Sequence, residues 1–291
     1  MSLVEFSNLK KSFREARQIT RQHAKSFYFA SLALPKNKKK AAYSVYAFCR
    51  YVDDSMDKAI ISKNKTEISY HLIPMLNRLY EGDFSDNLTW AEAFHTTVKV
   101  YKIPKNYFED LIEGVKLDVQ PSVQIQTWGE LKNYCYYVAS VVGLIMSYIF
   151  GIKDQKAQEP AIALGMAMQL TNILRDVKED YQNQRVYLPA EELLAYQIDL
   201  KAGFKHPNWK KYANFFCHRA KQYYQVGEKG IHLLARDGSQ FTVWLMRWIY
   251  AEILNEIENH NYDVSHRHHV NFFKKLKLVF KTYKSYKESS L

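Results

Sequence analysis

Ala161-Ile162-Ala163-Leu164-Gly165-Met166-Ala167-Met168-Gln169-Leu170 is apolar nearly all round, and it runs into Asn172-Ile173-Leu174-Arg175-Asp176-Val177-Lys178-Glu179-Asp180. A segment of that first kind is a buried helix, and charges are seldom placed in a buried helix without a partner. At ~100° per residue, Asn172, Asp176 and Asp180 fall on one face. A second acidic cluster, Asp53-Asp54-Ser55-Met56-Asp57, follows Ala41-Ala42-Tyr43-Ser44-Val45-Tyr46-Ala47-Phe48-Cys49 in the same manner. Asp53 and Asp57 share a face there, with Asp54 beside them. Taken singly, either cluster reads as a solvated helix face. Their apolar flanks instead place two carboxylate stripes inside a helical bundle, where they repel unless divalent cations and an anionic ligand lie between them. Hard oxygen donors of this kind suit Mg²⁺ bridged to phosphate. The expected metal ligands are therefore Asp53, Asp54, Asp57, Asn172, Asp176 and Asp180.

The rest of the chain supports a helical reading. Its 291 residues include only 10 Gly and 7 Pro, and no Asn-Gly or Asp-Gly turn joins alternating strands. Without internal repeats or low-complexity linkers, residues 1–291 read as one domain, with a basic amphipathic tail from about 264. Cys49, Cys135 and Cys217 are odd in number and far apart, which suggests neither a disulfide framework nor a zinc site and fits a reducing cytoplasm. The N-terminus lacks the apolar core of a signal peptide, and no run of ~18 apolar residues stands out. Val138 to Ile152 reads as a core helix.

The formal charge of +11 gathers at Lys36-Asn37-Lys38-Lys39-Lys40 and in the segment from His266 to Lys287. No nucleic-acid-binding motif accompanies it, so nucleic acid is not the expected partner. The C-terminal lysines alternate with Phe272, Phe273, Leu276 and Phe280, which suits a helix lying on the anionic inner face of a membrane. A solvated basic tail and an aromatic cap over a cavity are the competing readings.

Several motifs in order resemble the squalene and phytoene synthase family of head-to-head prenyl synthases: the two acidic clusters, His23-Ala24-Lys25-Ser26-Phe27-Tyr28, Tyr46-Ala47-Phe48-Cys49-Arg50, Tyr134-Cys135-Tyr136-Tyr137-Val138-Ala139 and Arg185-Val186-Tyr187-Leu188-Pro189. The resemblance runs from about residue 15 to 260. It implies an all-α isoprenoid synthase fold, a helical bundle around a central cavity that holds two prenyl diphosphates. Two to three Mg²⁺ ions would then be held by Asp53, Asp57, Asp176 and Asp180. Lys25, Ser26, Arg50 and Arg175 would contact diphosphate, and Tyr46, Gln169 and Asn172 would border the substrate. Tyr134 and Tyr250 would stand near the carbocation. Where the family usually has Gly after Val138-Ala139 this chain has Ser140, which is expected to narrow the cavity.

Among family members the acidic motifs look most like dehydrosqualene synthases, which join two C15 farnesyl diphosphates. Small Ser31, expected at the cavity floor, argues for a C20 substrate and phytoene. Squalene, made with NADPH, is a third outcome, weakly disfavoured by the absence of a Gly-x-Gly-x-x-Gly fingerprint. A monomer is expected. From another class, a catalytically silent prenyl-diphosphate binder or lipid-surface protein stays in view.

Overall fold

The computed structural model describes residues 3–62, 65–120, 122–152, 154–204 and 207–288, with the side chains of 3–6, 56–70 and 119 outside that description. The chain opens with α1 (Leu3–His23), α2 (Lys25–Ala30) and α3 (Lys36–Ser62), followed by α4 (Lys65–Glu81), α5 (Ala91–Val100) and α6 (Lys105–Lys116). α7 (Trp128–Cys135) passes through a π turn at Tyr136–Ser140 into α8 (Val141–Phe150), and α9 (Gln158–Gln182) carries the second acidic cluster. α10 (Ala190–Ala195), α11 (Pro207–Glu228), α12 (Ser239–Asn259) and α13 (Phe272–Glu288) complete the all-α fold. Among the described residues the extended structure is one short parallel pair, β1 (Val123–Gln124) with β2 (Arg185–Val186). It ties the segment before α7 to the turn after α9. Arg185 and Tyr187 are thereby held at the end of the acidic stripe.

Two apolar clusters hold the helices. In one, Phe48 of α3 stacks on Phe94 at 4.8 Å between ring centroids and meets Phe108 edge-on at 5.0 Å. Each ring of this kind, fully buried, contributes roughly 1.5–3 kcal/mol. In the other, Leu170, Ile173 and Leu174 of α9 pack with Phe216 of α11 and Leu254 of α12. As its composition requires, α9 is surrounded: α11, α12, α8 and the π turn all pack against it. Glycine sets the closest of these approaches. A Cβ on Gly165 would lie 2.6 Å from Cα of Ser140, and one on Gly143 would lie 2.8 Å from the Ala161 carbonyl oxygen.

Two expectations change at this level. Ser140 is fully buried and donates to the Ile162 carbonyl at 2.9 Å, so it belongs to the helix contact and does not narrow a cavity. Ser31 is also fully buried, bonded to the Tyr28 carbonyl and the Tyr43 hydroxyl, each at 2.8 Å, one layer behind the cavity wall. The stretch Trp128–Phe150 is long and apolar enough to cross a membrane by length and composition alone, and half of it is buried inside the bundle.

The C-terminal segment is not a loose tail. α13 docks on α12 through buried Leu278 and Thr282, Trp248 Nε1 donates to Ser285 Oγ at 3.3 Å, and Lys274 pairs with Glu256. Its aromatic residues do not cap the cavity described below.

Candidate active site

Tyr46, Arg50 and Asp53 stand at i, i+4 and i+7 on α3, and Gln169, Asn172, Asp176 and Asp180 stand three and four residues apart on α9. The fold brings these two faces to one place. A polar cavity of about 350 Å³ is lined by Asp53, Asp118, Tyr134, Asp176, Asp180 and Arg185 among others. A larger cavity of about 760 Å³, walled by residues such as Phe27, Val142, Met146, Leu164, Met168 and Met246, lies next to it. Both are lined by Arg50, Asp53, Gln169, Asn172 and Arg175, so a polar head opens into an apolar body.

The charges at the head are held in tension. Arg175 Nε donates to Asp176 Oδ1 at 2.8 Å, and Arg267 Nε, from the loop before α13, lies 3.0 Å from the same oxygen. Burial pushes the Asp180 carboxyl up to about 7, with further pressure from Asp176, Glu179 and Asp118, while Arg185 opposes the rise. Asp54 lines neither cavity, and its carboxylate pairs with the Arg50 guanidinium on the same helix. The Asp57 side chain lies outside the described residues.

Among the described residues, two buried polar atoms lack partners here. Asn172 Oδ1 has none, although its amide nitrogen donates to Gln169 Oε1 at 3.3 Å, and Arg50 Nε has none. An oxygen lone pair and an N–H left buried and unpaired cost about 1–3 kcal/mol each. A cation beside Asn172 and an anion beside Arg50 would satisfy both. Among the described residues no three of His, Cys, Asp and Glu converge as a ready-made metal cage. Mg²⁺ suits such a site, because it takes one or two carboxylates and completes its shell with water and phosphate oxygens.

The chain matches the squalene/phytoene synthase family model over residues 20–274. It belongs to the squalene/phytoene synthase family. A 15-cis-phytoene synthase of Synechococcus elongatus is 34% identical over 273 residues, covering 89% of this chain and 87% of that protein. A ligand-bound crystal structure of a dehydrosqualene synthase superposes with a TM-score of 0.87 at 30% identity, covering 98% of this chain and 99% of the other. A squalene synthase from Alicyclobacillus acidocaldarius superposes with a TM-score of 0.77 at 26% identity, covering 88% and 96%.

With this family membership the chain is a prenyltransferase of isoprenoid-synthase fold, and the remaining residues fall into place around its cavity. Lys25 and Ser26 line the larger cavity from the first turn of α2, as do Tyr46 and Tyr250. Burial raises the Tyr46 hydroxyl to about 12 and also raises Tyr250, against the pull of Arg175. Both stay neutral near pH 7, as hydrogen-bond donors with apolar rings. Tyr134 lies in the polar head, where its hydroxyl donates to Asp118 Oδ2 at 3.0 Å and that of Tyr187 donates to Oδ1 at 2.7 Å. The two rings stack at 4.9 Å.

Asp118, Arg185, Tyr187 and Arg267 line these cavities without having been singled out as site residues. Tyr187 and Arg185 belong to Arg185-Val186-Tyr187-Leu188-Pro189, whose spacing carries no helical signal. Asp118 is a single charge in a 3-10 turn (Leu117–Val119) after α6 and Arg267 one in a loop, and periodicity says nothing about either.

Proposed function

We propose that this chain condenses two molecules of C20 geranylgeranyl diphosphate head to head, giving phytoene and two diphosphates. The observation that carries the choice of substrate is the 34% identity, over 89% of the chain, to a protein named 15-cis-phytoene synthase. It outweighs the motif likeness behind the C15 expectation. Farnesyl diphosphate and dehydrosqualene stay as the second reading because of the close superposition on a dehydrosqualene synthase.

The chemistry proposed is the one that the family resemblance implies, and the lining of the site suits it. The C1–O bond of one substrate breaks, the C2=C3 double bond of the other attacks C1, and loss of a proton leaves a cyclopropylcarbinyl diphosphate. Its C–O bond breaks in turn, the ring opens to a 1,1′-linked cation, and loss of a second proton gives the central triene with no reductant. NADPH would enter only if squalene were the product. Arg50, Arg175 and Lys25 bind the leaving anion by charge-assisted hydrogen bonds. The Phe27, Met168, Met246 and Leu164 walls exclude water that would quench the cation. The rings of Tyr46 and Tyr250 offer π faces to it. Asp53, Asn172, Asp176 and Asp180 would hold two to three Mg²⁺ ions, with Asp57 as a further candidate. Bound there, Mg²⁺ supplies Lewis acidity toward diphosphate oxygens.

Incubation with labelled C15 and C20 diphosphates and Mg²⁺, with and without NADPH, followed by hexane extraction, tests the reading. Phytoene from the C20 substrate, indifferent to NADPH, is the expected product. A higher kcat/KM for farnesyl diphosphate would return the assignment to dehydrosqualene or squalene, and no turnover of either would support a silent binder.

A further inference from the structure

Among the described residues, the outer face of α13 is left largely exposed. With Leu278 and Thr282 turned toward α12, a helical wheel at ~100° per residue puts Phe272, Phe273, Leu276, Phe280 and Tyr283 together on the opposite side. All five are exposed, Phe273 at 76% and Phe280 at 79%. A row of aromatic and aliphatic side chains along a helix about 25 Å long is far more than the scattered apolar residues of an ordinary surface. Lys277, Lys281 and Lys284 form one flank of this row, and Lys287 continues it at the C-terminal end. Within the helix, six lysines stand against the single acid Glu288.

The patch extends beyond α13 and reaches the substrate cavity. Phe29 of α2 meets Phe272 edge-on at 6.2 Å, and Leu32, three residues further, is exposed with the Lys39 ammonium at its carbonyl. Lys25, Ser26 and Phe27, on the turn of α2 before Phe29, line the larger cavity. Lys275 faces Lys25 closely enough that burial and this second charge both depress its pKa. Two ammonium groups thus crowd the margin between cavity and patch. The family match ends at residue 274, so most of this face lies outside the matched stretch.

From the aromatic row, its lysine flank and its continuity with the α2 wall of the cavity, we infer that the outer face of α13, with Phe29 and Leu32, docks on an anionic lipid bilayer. Interfacial helices pair aromatic residues at acyl depth with lysines at the headgroups. Here the inner face of the helix is fixed to the enzyme, so docking fixes the orientation of the cavity as well. The surface stands on its own geometry. Its use, delivering an amphiphilic substrate and releasing an insoluble hydrocarbon into the bilayer, rests on the proposed reaction.

The test is co-sedimentation of the full chain with phosphatidylglycerol or phosphatidylcholine vesicles, a readout that needs no turnover. Wild type is expected to pellet with the anionic vesicles, at least tenfold more weakly in 0.5 M salt, and not with the zwitterionic ones. Phe273→Ser with Phe280→Ser, and separately Lys277→Glu with Lys284→Glu, should each lower the partition coefficient at least tenfold, with melting temperature and turnover in detergent unchanged. Failure of wild type to bind, or wild-type binding by either double variant, overturns the inference. So does self-association of wild type without lipid that Phe273→Ser with Phe280→Ser abolishes, which would assign the face to a second copy of the chain. Vesicle binding by a chain that turns over neither substrate would leave the docking surface standing and remove the proposed reaction alone.

Discussion

Arg267 shares the Asp176 carboxylate that Arg175 already grips, with its Nε 3.0 Å from Oδ1, the oxygen that accepts from Arg175 Nε. The loop that carries it is tethered to α9 a second time, because Lys178 Nζ donates to the Ser265 carbonyl at 2.7 Å. Asp176 is 16% exposed and Arg267 59%, so the pair is worth no more than ~1 kcal/mol to stability. Its weight is electrostatic: a guanidinium occupies the carboxylate that a metal ion would share. Arg267→Gln is therefore expected to tighten Mg²⁺ binding without substrate and to raise KM for the prenyl diphosphate about tenfold, the loss of one charge-assisted hydrogen bond. Calorimetric Mg²⁺ titration and initial rates would show it. If neither moves, Arg267 is a bystander.

Asp118 ties two buried hydroxyls to one carboxylate, those of Tyr134 and Tyr187. Asp118→Ala leaves both without that acceptor, at roughly 1–3 kcal/mol each, and frees Tyr134 to leave its stacked position. A drop in melting temperature of several degrees and a fall in turnover of at least tenfold are expected. Asp118→Asn keeps one acceptor oxygen and should recover part of both. Equal damage from the two variants would mean that the negative charge matters and the acceptor geometry does not.

Helix faces are local in sequence, which is why the shared face of Asp53 and Asp57 and the stripe Asn172-Asp176-Asp180 could be read from spacing, along with the buried character of α9, whereas Tyr46 and Arg50 entered through the family resemblance. Pairing between distant segments left no such trace. Lys38 looks like one of a run of solvated lysines, yet its Nζ donates to the Phe150 carbonyl at 3.0 Å and to Ser239 Oγ at 3.1 Å, and lies 2.9 Å from Asp237 Oδ2. Those partners come from the end of α8 and the start of α12, more than a hundred residues away. At short range spacing does better: Arg50 and Asp54, at i and i+4, form the ion pair that such spacing allows.

The Asp180 carboxyl, raised to about 7 chiefly by burial and then by Asp176, gives the protein a defined pH response. Between the ordinary carboxylate range and pH 7, the folded state binds a proton that the unfolded state has released. Without metal, stability therefore falls as pH rises through that window and levels off above it. Asp180→Asn removes the dependence. Allowing for partial exposure, it should stabilise the metal-free protein by about 1–2 kcal/mol at pH 8 and by little at pH 4. Urea unfolding of both proteins in EDTA at the two pH values measures the difference. A gain that is equal at both would trace to packing.

Ser31→Phe addresses chain length through the layer behind the cavity. The Ser31 hydroxyl is fully buried and bonded to Tyr43, whose ring stacks on Tyr28 at 5.5 Å and meets Phe27 edge-on at 6.4 Å. Phe27 lines the larger cavity and approaches Tyr46 at 6.1 Å. A phenyl ring at 31 has no space of its own, so it displaces Tyr43 and, through it, Phe27 toward the substrate. Overpacking of this kind costs ~1–3 kcal/mol, and the Tyr43 hydroxyl loses its Ser31 partner as well. Lower melting temperature should thus accompany a roughly tenfold shift of kcat/KM away from the C20 substrate relative to the C15 one. Ser31→Ala removes only the hydrogen bond, so it should cost about 1 kcal/mol and leave the preference unchanged. If Ser31→Phe lowers the melting temperature but leaves the substrate ratio alone, the strain is absorbed before it reaches Phe27 and residue 31 has no part in chain-length choice.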